Sequence, residues 1–419
     1  MAPDIIAIDG GSTDSGPSYL GRGVSKYARA STKAEWRDLI AAREQAGCPL
    51  VIGTAGTCGT SETVDWLVEI TRECLAELGL TATIATLKSD QDPAAMARAA
   101  LTPLPGAPEV TPDEIAACTH IVALAGAEQI DAALATGADI VIAGRTTDTA
   151  IIAALPLRNG DHPGAAWHGA KIGECGALCA TNPQSGVLLL DFDATGCTVT
   201  PLADGAQATP HTVSAHMLYE NSDPYILHEP GGHLDVTAAR YVALDDRSVR
   251  IEGAEWHPAD AYRVKLEGAR IAGWQTLLIA TLRDPRYVAA AGDWADDVLT
   301  RHRARMTERM EGAEDIAVEL RRMGQDATLG PLERAAPAPV EVGILAIVTA
   351  PDQARATEAA KLLNPFLLHH PLTREEEQPT FAFPFSPAEI ERGPAWTFAL
   401  HHTLTLDDPM AAFRLEVLA

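Results

Sequence analysis

The stretch PLVIGTAGTCGTSET, residues 49–63, joins a short apolar run to a loop rich in Gly, Ser and Thr. The run 49–52 has the length and the β-branched residues of a buried strand, and apolar residues recur at helical spacing after the loop. A strand, a glycine-rich loop and a helix in this order are typical of α/β folds. Two similar loops, residues 9–21 (DGGSTDSGPSYLG) and 144–149 (GRTTDT), also follow short apolar runs.

These three loops predict a shared binding edge. In open α/β sheets, ligands bind beyond the carboxyl ends of the parallel strands. The runs 5–8, 49–52 and 139–143 would be such strands, so we expect the loops after them to lie together. The fold class predicted is α/β, with a doubly wound parallel sheet in an N-terminal domain and a ferredoxin-like α+β domain at the C-terminal side.

The length of 419 residues exceeds what one hydrophobic core usually supports, so several segments are expected. We predict an α/β domain with Gly-rich site loops over residues 1–205 and a loop-rich connecting segment over residues 206–268. A ferredoxin-like domain over residues 269–419 follows, because strand and helix patterns alternate there in two βαβ-like units. One of its strands is predicted near Phe366.

Composition narrows the class of protein. A formal net charge of −25, from 57 acidic against 32 basic residues, argues against nucleic acid and anionic membranes as partners. No apolar stretch reaches the roughly 18 residues of a membrane-spanning helix, and the N-terminus lacks a signal-like core. We therefore expect a cytoplasmic protein with no membrane partner. Assembly into a homo-oligomer is a base-rate expectation.

Cysteine and histidine spacing gives no metal motif. The seven cysteines are scattered without a CxxC pair, which indicates reduced thiols and no zinc ribbon. The histidines of the middle segment form neither an HxxxH nor an HExxH pattern; they are His211, His216, His228 and His233. No cofactor is identified, and a divalent metal stays open without a supporting motif.

The first loop places two carboxylates, Asp9 and Asp14, around Ser12 and Thr13. Two acids five positions apart in a Gly-rich turn can hold a cation, orient a substrate hydroxyl or cap the following turn. The glycines of the loop permit close approach of the backbone to a ligand. We predict that these four residues contact substrate, with helix capping as the alternative.

The second loop has the composition of an anion site, with Gly56, Thr57, Cys58 and Gly59 immediately before a helix. Backbone amides and a helix N-terminus suit a phosphate or a carboxylate. The Walker lysine is missing, which favours anion binding over nucleotide hydrolysis. The same helix end predicts a lowered pKa for the Cys58 thiol, whereas a small packing residue is the alternative.

In the third loop, Arg145 follows the strand and Asp148 lies three positions later. The guanidinium could hold a substrate carboxylate through two parallel hydrogen bonds, or it could pair with Asp148 instead.

The segment WHGAKIGECGALC, residues 167–179, is the densest group of reactive side chains, with His168, Lys171, Glu174 and Cys175. If it is helical, Lys171 and Cys175 lie one turn apart on one face. A neighbouring Lys lowers a thiol pKa, and a desolvated Lys can act as a base. The alternative is a surface turn with an ion pair between Lys171 and Glu174.

The chain resembles the acyclic terpene utilisation AtuA family over nearly its whole length. The resemblance is carried by six motifs in order: VIGTAGTCGTSETVDW, ADIVIAGRTTDTA, WHGAKIGECGA, HTVSAHMLYENSDPYILHEP, YRVKLEGARIAGWQT and FAFPFSPAEIERGPAWTFALHHTLTLDDP. It implies the carbon metabolism of carboxylates, because related pathways handle branched acyl-CoA thioesters and small dicarboxylic or hydroxy acids. The family has a smaller residue where Cys58 stands, which makes Cys175 the better thiol candidate.

Three hypotheses for function follow. The first is a lyase or hydro-lyase for a small hydroxy-carboxylic acid or its CoA thioester, in which Lys171 or Asp148 moves a proton at the α-carbon. The second is a Cys-dependent acyltransferase or hydrolase with Cys175 as nucleophile and His168 as base. The third is a non-catalytic subunit that binds a partner enzyme. The many polar groups at one predicted edge favour an enzyme of the first kind, and Glu174 is predicted to be one of its catalytic residues.

Overall fold

A computed structural model of the chain describes residues 2–107, 109–182, 186–335 and 339–418. It is an α/β structure with both parallel and antiparallel sheets. The strands are β1 (Ile6–Asp9), β2 (Leu50–Gly53), β3 (Ile84–Lys88), β4 (Asp90–Gln91), β5 (Leu101–Pro103), β6 (His120–Ala123), β7 (Ile140–Ala143), β8 (Leu188–Phe192), β9 (Gly196–Pro201), β10 (Ile226–Glu229), β11 (Gly232–Asp235), β12 (Arg240–Ala243), β13 (Val249–Glu252), β14 (Glu255–Pro258), β15 (Tyr262–Leu282), β16 (Ala317–Met323), β17 (Val342–Ala350), β18 (Ile390–Leu406) and β19 (Arg414–Leu418).

The helices alternate with the strands in the first third of the chain and are sparser afterwards. They are α1 (Pro17–Arg22), α2 (Arg29–Ala46), α3 (Ser61–Leu78), α4 (Pro93–Met96), α5 (Pro112–Ala116), α6 (Ala127–Leu134), α7 (Ala150–Asn159), α8 (Pro163–Gly173), α9 (Pro210–His216), α10 (Pro285–Ala289), α11 (Ala291–Arg309) and α12 (Gln353–His369). No helix in the described part of the chain combines the length and the apolarity that crossing a bilayer requires.

The chain divides into two compact units. Unit 1 contains residues 1–270 and 398–419, and unit 2 contains residues 271–397. The boundary at 270 lies beside the expected one at 268, but the predicted connecting segment 206–268 is part of unit 1. The last stretch of the chain also returns to unit 1. The middle segment contains strands β10 to β14, so it has more regular structure than its many Pro and Gly residues predict.

Unit 1 is built on a sheet with strand order β1-β2-β7-β3-β19. The first four strands are parallel, and β19 pairs antiparallel with β3. Consecutive residues of β7 serve opposite faces: Ile140 and Ile142 pack with helices α2 and α3, whereas Val141 and Ala143 pack with α6 and α7. Both faces are therefore covered by helices, which explains why these strands are apolar throughout.

Unit 2 contains an antiparallel arrangement in which β17 pairs with β16 and with residues 274–282 of β15. Alternate residues of β17 are buried and pack with helices α11 and α12, as the period of a strand with one covered face requires. The strand expected near Phe366 is absent, because that residue lies inside α12. The ferredoxin-like description of this region stays a prediction.

Candidate functional site

The three glycine-rich loops meet at one edge of the parallel sheet, as their positions in the sequence predict. They follow β1, β2 and β7, which are adjacent and parallel. The amide of Gly10 donates to the carbonyl of Gly53 at 3.0 Å, and the amide of Thr54 donates to the carbonyl of Gly144 at 2.8 Å. The edge is thus a continuous surface of three hydrogen-bonded loops.

Gly59 allows the second and third loops to touch. Its carbonyl accepts from the amide of Arg145 at 3.1 Å. A Cβ atom at position 59 would lie 2.3 Å from the backbone nitrogen of Arg145, and the φ of Gly59 is +65°. Both the space and the backbone conformation therefore require glycine.

Arg145 is buried and its main partner is Glu267, which the sequence did not identify. The Nε atom donates to Glu267 Oε2 at 3.0 Å, and Nη1 donates to the Thr146 carbonyl at 2.8 Å and to Thr54 Oγ1 at 3.1 Å. Asp148 Oδ1 lies 3.7 Å from Nη1. The guanidinium therefore joins the second and third loops to β15. Because it already makes these bonds, fewer of its N–H groups are left for the substrate carboxylate that the sequence predicts.

Glu267 forms the centre of this network. Its carboxylate also accepts from Thr13 Oγ1 at 2.6 Å and from Lys265 Nζ at 2.8 Å. Burial raises the pKa of Glu267, but the charges of Arg145 and Lys265 outweigh it and hold that pKa well below its usual range. Thr13 was predicted to contact substrate, and here its hydroxyl is directed to Glu267.

In the second loop, backbone amides donate hydrogen bonds to carbonyls of the same loop. Gly56, Thr57, Cys58 and Gly59 are buried, and the amides of Thr57 and Gly59 donate to carbonyls of Thr54 and Ala55 at 2.9 and 3.1 Å. Burial raises the pKa of the Cys58 thiol, opposite to the lowering that the helix N-terminus predicts. This environment favours the packing role of Cys58.

Four carboxyl groups influence one another electrostatically; we call them the acidic edge, and they are Asp9, Asp148, Glu174 and Glu220. Burial and the charge of Asp9 raise the pKa of Asp148 well above its usual range, although Arg145 opposes them. Only 14% of the Asp148 side chain is exposed, so little water screens these charges. Asp148 therefore holds its proton more tightly than an ordinary aspartate.

Asp9 connects the first loop to the segment after α8. Its Oδ1 accepts from the amide of Gly11 at 2.6 Å, and its Oδ2 accepts from the thiol of Cys175 at 3.6 Å. Burial, followed by the neighbouring charge of Asp9, raises the pKa of Cys175 to about 11, against a hydrogen bond with Tyr219 that lowers it. The thiol is exposed but protonated at neutral pH, which disfavours it as a nucleophile.

Lys171 and Cys175 do not share a helix face. Helix α8 ends at Gly173, and Cys175 has a left-handed backbone conformation with φ of 42°. Lys171 is instead buried with its ammonium bonded to the Glu174 carboxylate and to the carbonyl of Tyr219, the latter at 2.7 Å. The ion pair foreseen as an alternative is present, but it is buried rather than at a surface turn. Burial raises the pKa of Glu174 although Lys171 opposes it.

His168 belongs to a different environment from Cys175. It is buried, its Nε2 lies 3.1 Å from the hydroxyl of Tyr241, and burial lowers its pKa to about 4. The two rings meet edge to face. In the described part of the chain no hydrogen bond joins His168 to Cys175, so the predicted base and nucleophile are not paired.

Glu229, at the end of β10, is a carboxyl group that the sequence did not single out. Its Oε1 accepts from the hydroxyl of Thr149, and its Oε2 is buried with no hydrogen-bond partner among the described residues. Burial raises the pKa of Glu229 to about 7. The sequence of the short strand β10 does not reveal that Glu229 is a buried carboxyl group, because its contact with the third loop depends on tertiary packing.

The exposed end of the first loop is held by its own side chains. Ser12 Oγ donates to Asp14 Oδ1 at 2.5 Å, and this bond lowers the pKa of Asp14. Lys26 Nζ donates to the neighbouring Ser15 Oγ at 2.8 Å. Asp14 is therefore an exposed carboxylate beside a cation, available to a ligand at this edge.

Backbone strain concentrates at the same place. Five described residues other than glycine have positive φ, and four of them belong to this site: Thr54, Thr57, Cys175 and Glu220. Such conformations cost about 1–3 kcal/mol each and persist where surrounding structure holds them, often at functional sites.

No group of three or more His, Cys, Asp and Glu side chains in the described residues is arranged to hold a metal ion. A separate cleft of about 660 Å³ lies in unit 2, lined in part by Arg283, Arg286, Tyr287 and Glu376. Arg286 lies 2.9 Å from Glu376, so charges in that cleft compensate one another. The cleft contains none of the predicted site residues, and we place the candidate site at the loop edge.

Comparison with known proteins agrees with the resemblance seen in the motifs. The search of curated proteins and that of solved structures found no match. The family described as acyclic terpene utilisation family protein AtuA matches residues 25–179 and 183–381, a range that includes the second and third loops, Lys171, Glu174 and Glu267. Because the match covers most of the chain, the protein belongs to the acyclic terpene utilisation AtuA family.

Proposed function

We propose that this protein is a lyase of the hydro-lyase type that acts on a small hydroxy-carboxylic acid or its CoA thioester. The observation that carries the proposal is the largely buried carboxyl of Asp148, which lies 3.7 Å from Arg145 and whose pKa is raised by burial and by the charge of Asp9. Elimination of water needs a base that takes the α-proton and an acid that gives a proton to the departing hydroxyl. Carboxyl groups with separated pKa values can divide these two tasks.

In this proposal Asp9 and Asp148 are the proton-transfer pair. Asp9 takes the proton from the carbon beside the carboxyl or thioester group, a double bond forms between that carbon and the next one, and the carbon–oxygen bond of the hydroxyl on that next carbon breaks. Asp148 donates its proton to the departing hydroxyl, which leaves as water. After burial, the charge of Asp9 is the next largest cause that raises the pKa of Asp148. Asp9 gains one proton and Asp148 loses one, so the net change in the substrate is the loss of water, which needs no oxidant or reductant.

Lys171 and Glu174 support this pair. Lys171 is fixed by Glu174 and by the Tyr219 carbonyl, so in the proposal it positions the acidic edge and does not attack substrate. The strained conformations at Thr54, Thr57, Cys175 and Glu220 favour a functional role for the same edge.

The substrate class follows from the donors and acceptors available. Carboxyl oxygens and Ser12 accept hydrogen bonds from hydroxyl groups, which favours a hydroxylated substrate. Lys26, at the first loop, supplies a positive charge for a carboxylate or a phosphate of CoA. The name of the family refers to terpene utilisation, and the carboxylate or thioester group of the substrate is part of the proposal.

The Cys-dependent alternative has weaker support. Its nucleophile would be Cys175, whose pKa of about 11 keeps the thiol protonated, and its base would be His168, which is bonded to Tyr241. Among the residues that the structure describes, no specific contact favours a non-catalytic subunit.

The test is exchange of the substrate α-proton with solvent deuterium, followed by proton NMR. The purified chain is incubated in deuterated buffer with small 3-hydroxy acids and their CoA thioesters. We expect loss of the α-proton signal, and formation of an alkene, for at least one of these compounds. Asp148→Asn should abolish alkene formation because the amide cannot donate the required proton.

Asp246→Asn is the matched control, since Asp246 is exposed and remote from the three loops in sequence. It should behave like the wild-type protein. Alkene formation by Asp148→Asn at the wild-type rate would contradict the assignment of the acid. An absence of exchange and of product with every compound would contradict the lyase itself.

A further inference from the structure

Strand β16 is a free sheet edge in unit 2. It pairs on one side with β17, and in the described part of the chain no strand pairs with its other side. Its seven residues make it the longest of the described strands that end a sheet, since β8 and β19 follow with five residues each. The outer side of an edge strand presents backbone N–H and C=O groups that can pair with another strand.

These backbone groups have no other use within the described chain. The hydrogen bonds of the backbone of residues 317–321 are confined to the pairing with β17. The free edge ends at Arg322, whose carbonyl accepts from the amides of Gln325 and Asp326 at 3.0 and 3.2 Å. Residues 317–321 are therefore open to a further strand.

The side chains of β16 alternate between two faces. Val318 and Leu320 pack against the core of unit 2, whereas Glu319 and Arg321 are exposed on the opposite face. On that face Arg321 Nε donates to Glu319 Oε1 at 2.8 Å, and 47% and 55% of the two side chains are accessible to solvent. An exposed ion pair of this kind contributes little to the stability of one chain. Both charges are therefore available to an opposite strand.

The strand is complementary to itself in one antiparallel register. If Leu320 lies opposite Leu320 of a second copy, Glu319 of each copy lies opposite Arg321 of the other. Two pairs of opposite charge then flank an apolar pair, and a twofold axis generates one charge pair from the other. The neighbouring registers lack these pairs. With the axis at Arg322 two arginines are opposite each other, and with the axis two residues before Leu320 the carboxylate of Glu319 is opposite an alanine.

We propose that β16 is the interface of a homodimer, in which the β16 strands of two copies pair antiparallel about a twofold axis at Leu320. Backbone hydrogen bonds hold the two strands together, and the pairs of Glu319 with Arg321 fix their register. The occupant of the edge is a second copy because the charges of β16 complement those of the same strand. This inference is independent of the proposed reaction, since β16 contains none of the candidate site residues.

The test is analytical ultracentrifugation of the untagged full chain over a range of concentrations. We expect reversible formation of a species with twice the mass of the chain. Hydrogen–deuterium exchange is then compared above and below the dissociation constant of this dimer. Exchange of the amides of residues 317–321 should be slower in the dimer, because the amides at the outer edge of β16 become hydrogen-bonded.

Reversal of one charge tests the register. Arg321→Glu places like charges opposite each other in both pairs, so it should weaken the dimer by at least about tenfold. The double variant Glu319→Arg with Arg321→Glu exchanges the two charges and restores both pairs. Its dissociation constant should therefore return to within about threefold of the wild-type value.

Lys361→Glu is the matched control, because Lys361 is exposed on α12 and its reversal changes the net charge by the same amount. It should leave the dimer unchanged. A chain that stays monomeric at every concentration would overturn the proposal, as would a dimer that Arg321→Glu does not weaken or a double variant as weak as Arg321→Glu. A dimer without protection of residues 317–321 would assign the interface to another surface and overturn it as well. Circular dichroism of each variant shows that the fold is retained.

Discussion

Arg145 and Glu267 form a buried ion pair with Nε and Oε2 3.0 Å apart, although 122 positions separate them in the sequence. The pair joins the third loop to β15, and Thr13 joins it to the first loop. Removing one partner of a buried pair leaves the other charge without compensation, which typically costs about 3–5 kcal/mol.

We therefore expect Glu267→Gln to lower the free energy of unfolding by about 3 kcal/mol or more. Urea unfolding, monitored by tryptophan fluorescence, measures this change in the free energy of unfolding. Glu69→Gln, on the exposed face of α3, is the matched control and should change stability by no more than about 0.5 kcal/mol. Equal stability of the two variants would contradict the central role of Glu267.

A comparison of Gly59 with Gly79 separates two reasons for glycine, which are a positive φ and the lack of space for a Cβ atom. Their φ values are +65° and +68°, but a Cβ at 59 meets the Arg145 backbone at 2.3 Å, whereas one at 79 meets nothing within 4 Å. Gly79→Ala should cost about 1–2 kcal/mol from backbone conformation alone. Gly59→Ala should cost a further 1–3 kcal/mol, roughly the penalty of overpacking, because two backbones must separate. If denaturant unfolding gives the same loss for both, the close contact between the loops is not as described.

Glu229 predicts a specific dependence of stability on pH. Burial raises its pKa from 4.5 to about 7, so the folded protein binds a proton more tightly than the unfolded chain does. Between these values stability falls as pH rises, and the full penalty, about 3 kcal/mol, is present above pH 7. Glu229→Gln removes the charge, so its stability relative to the wild type should rise from pH 5 to pH 8.

Urea midpoints of the two proteins at pH 5, 6.5 and 8 check this dependence. The comparison uses the difference between them, because the other titrating groups contribute equally to both. Glu252→Gln, in a neighbouring sheet and partly exposed, should follow the wild-type curve. A difference between Glu229→Gln and the wild type that stays constant with pH would show that Glu229 titrates as an ordinary glutamate.

The sequence predicts the position of the site better than its chemistry. The apolar runs before the three loops identify β1, β2 and β7, because a short run of apolar residues is typical of a strand that is covered on both faces. Glu267 could not be found this way. It lies in a strand among alternating residues, where a charged side chain is normally assigned to solvent, and its partner is distant in sequence.

Local spacing also failed where the backbone changes direction. Lys171 and Cys175 have helical spacing, but α8 ends between them, so their side chains are not neighbours on a helix. The strand predicted near Phe366 is also wrong, because helix α12 continues through Pro365 and Phe366. In each case the outcome depends on contacts beyond the local window.

The return of the chain to unit 1 has a consequence for its synthesis. Strand β19 and residues 398–406 belong to a unit whose other residues precede the whole of unit 2. Until about 145 further residues after position 270 have left the ribosome, β3 lacks its antiparallel neighbour β19, and unit 1 cannot complete its sheet. All residues of unit 2 are synthesised before the last stretch of unit 1. The order of translation therefore favours the folding of unit 2 before that of unit 1.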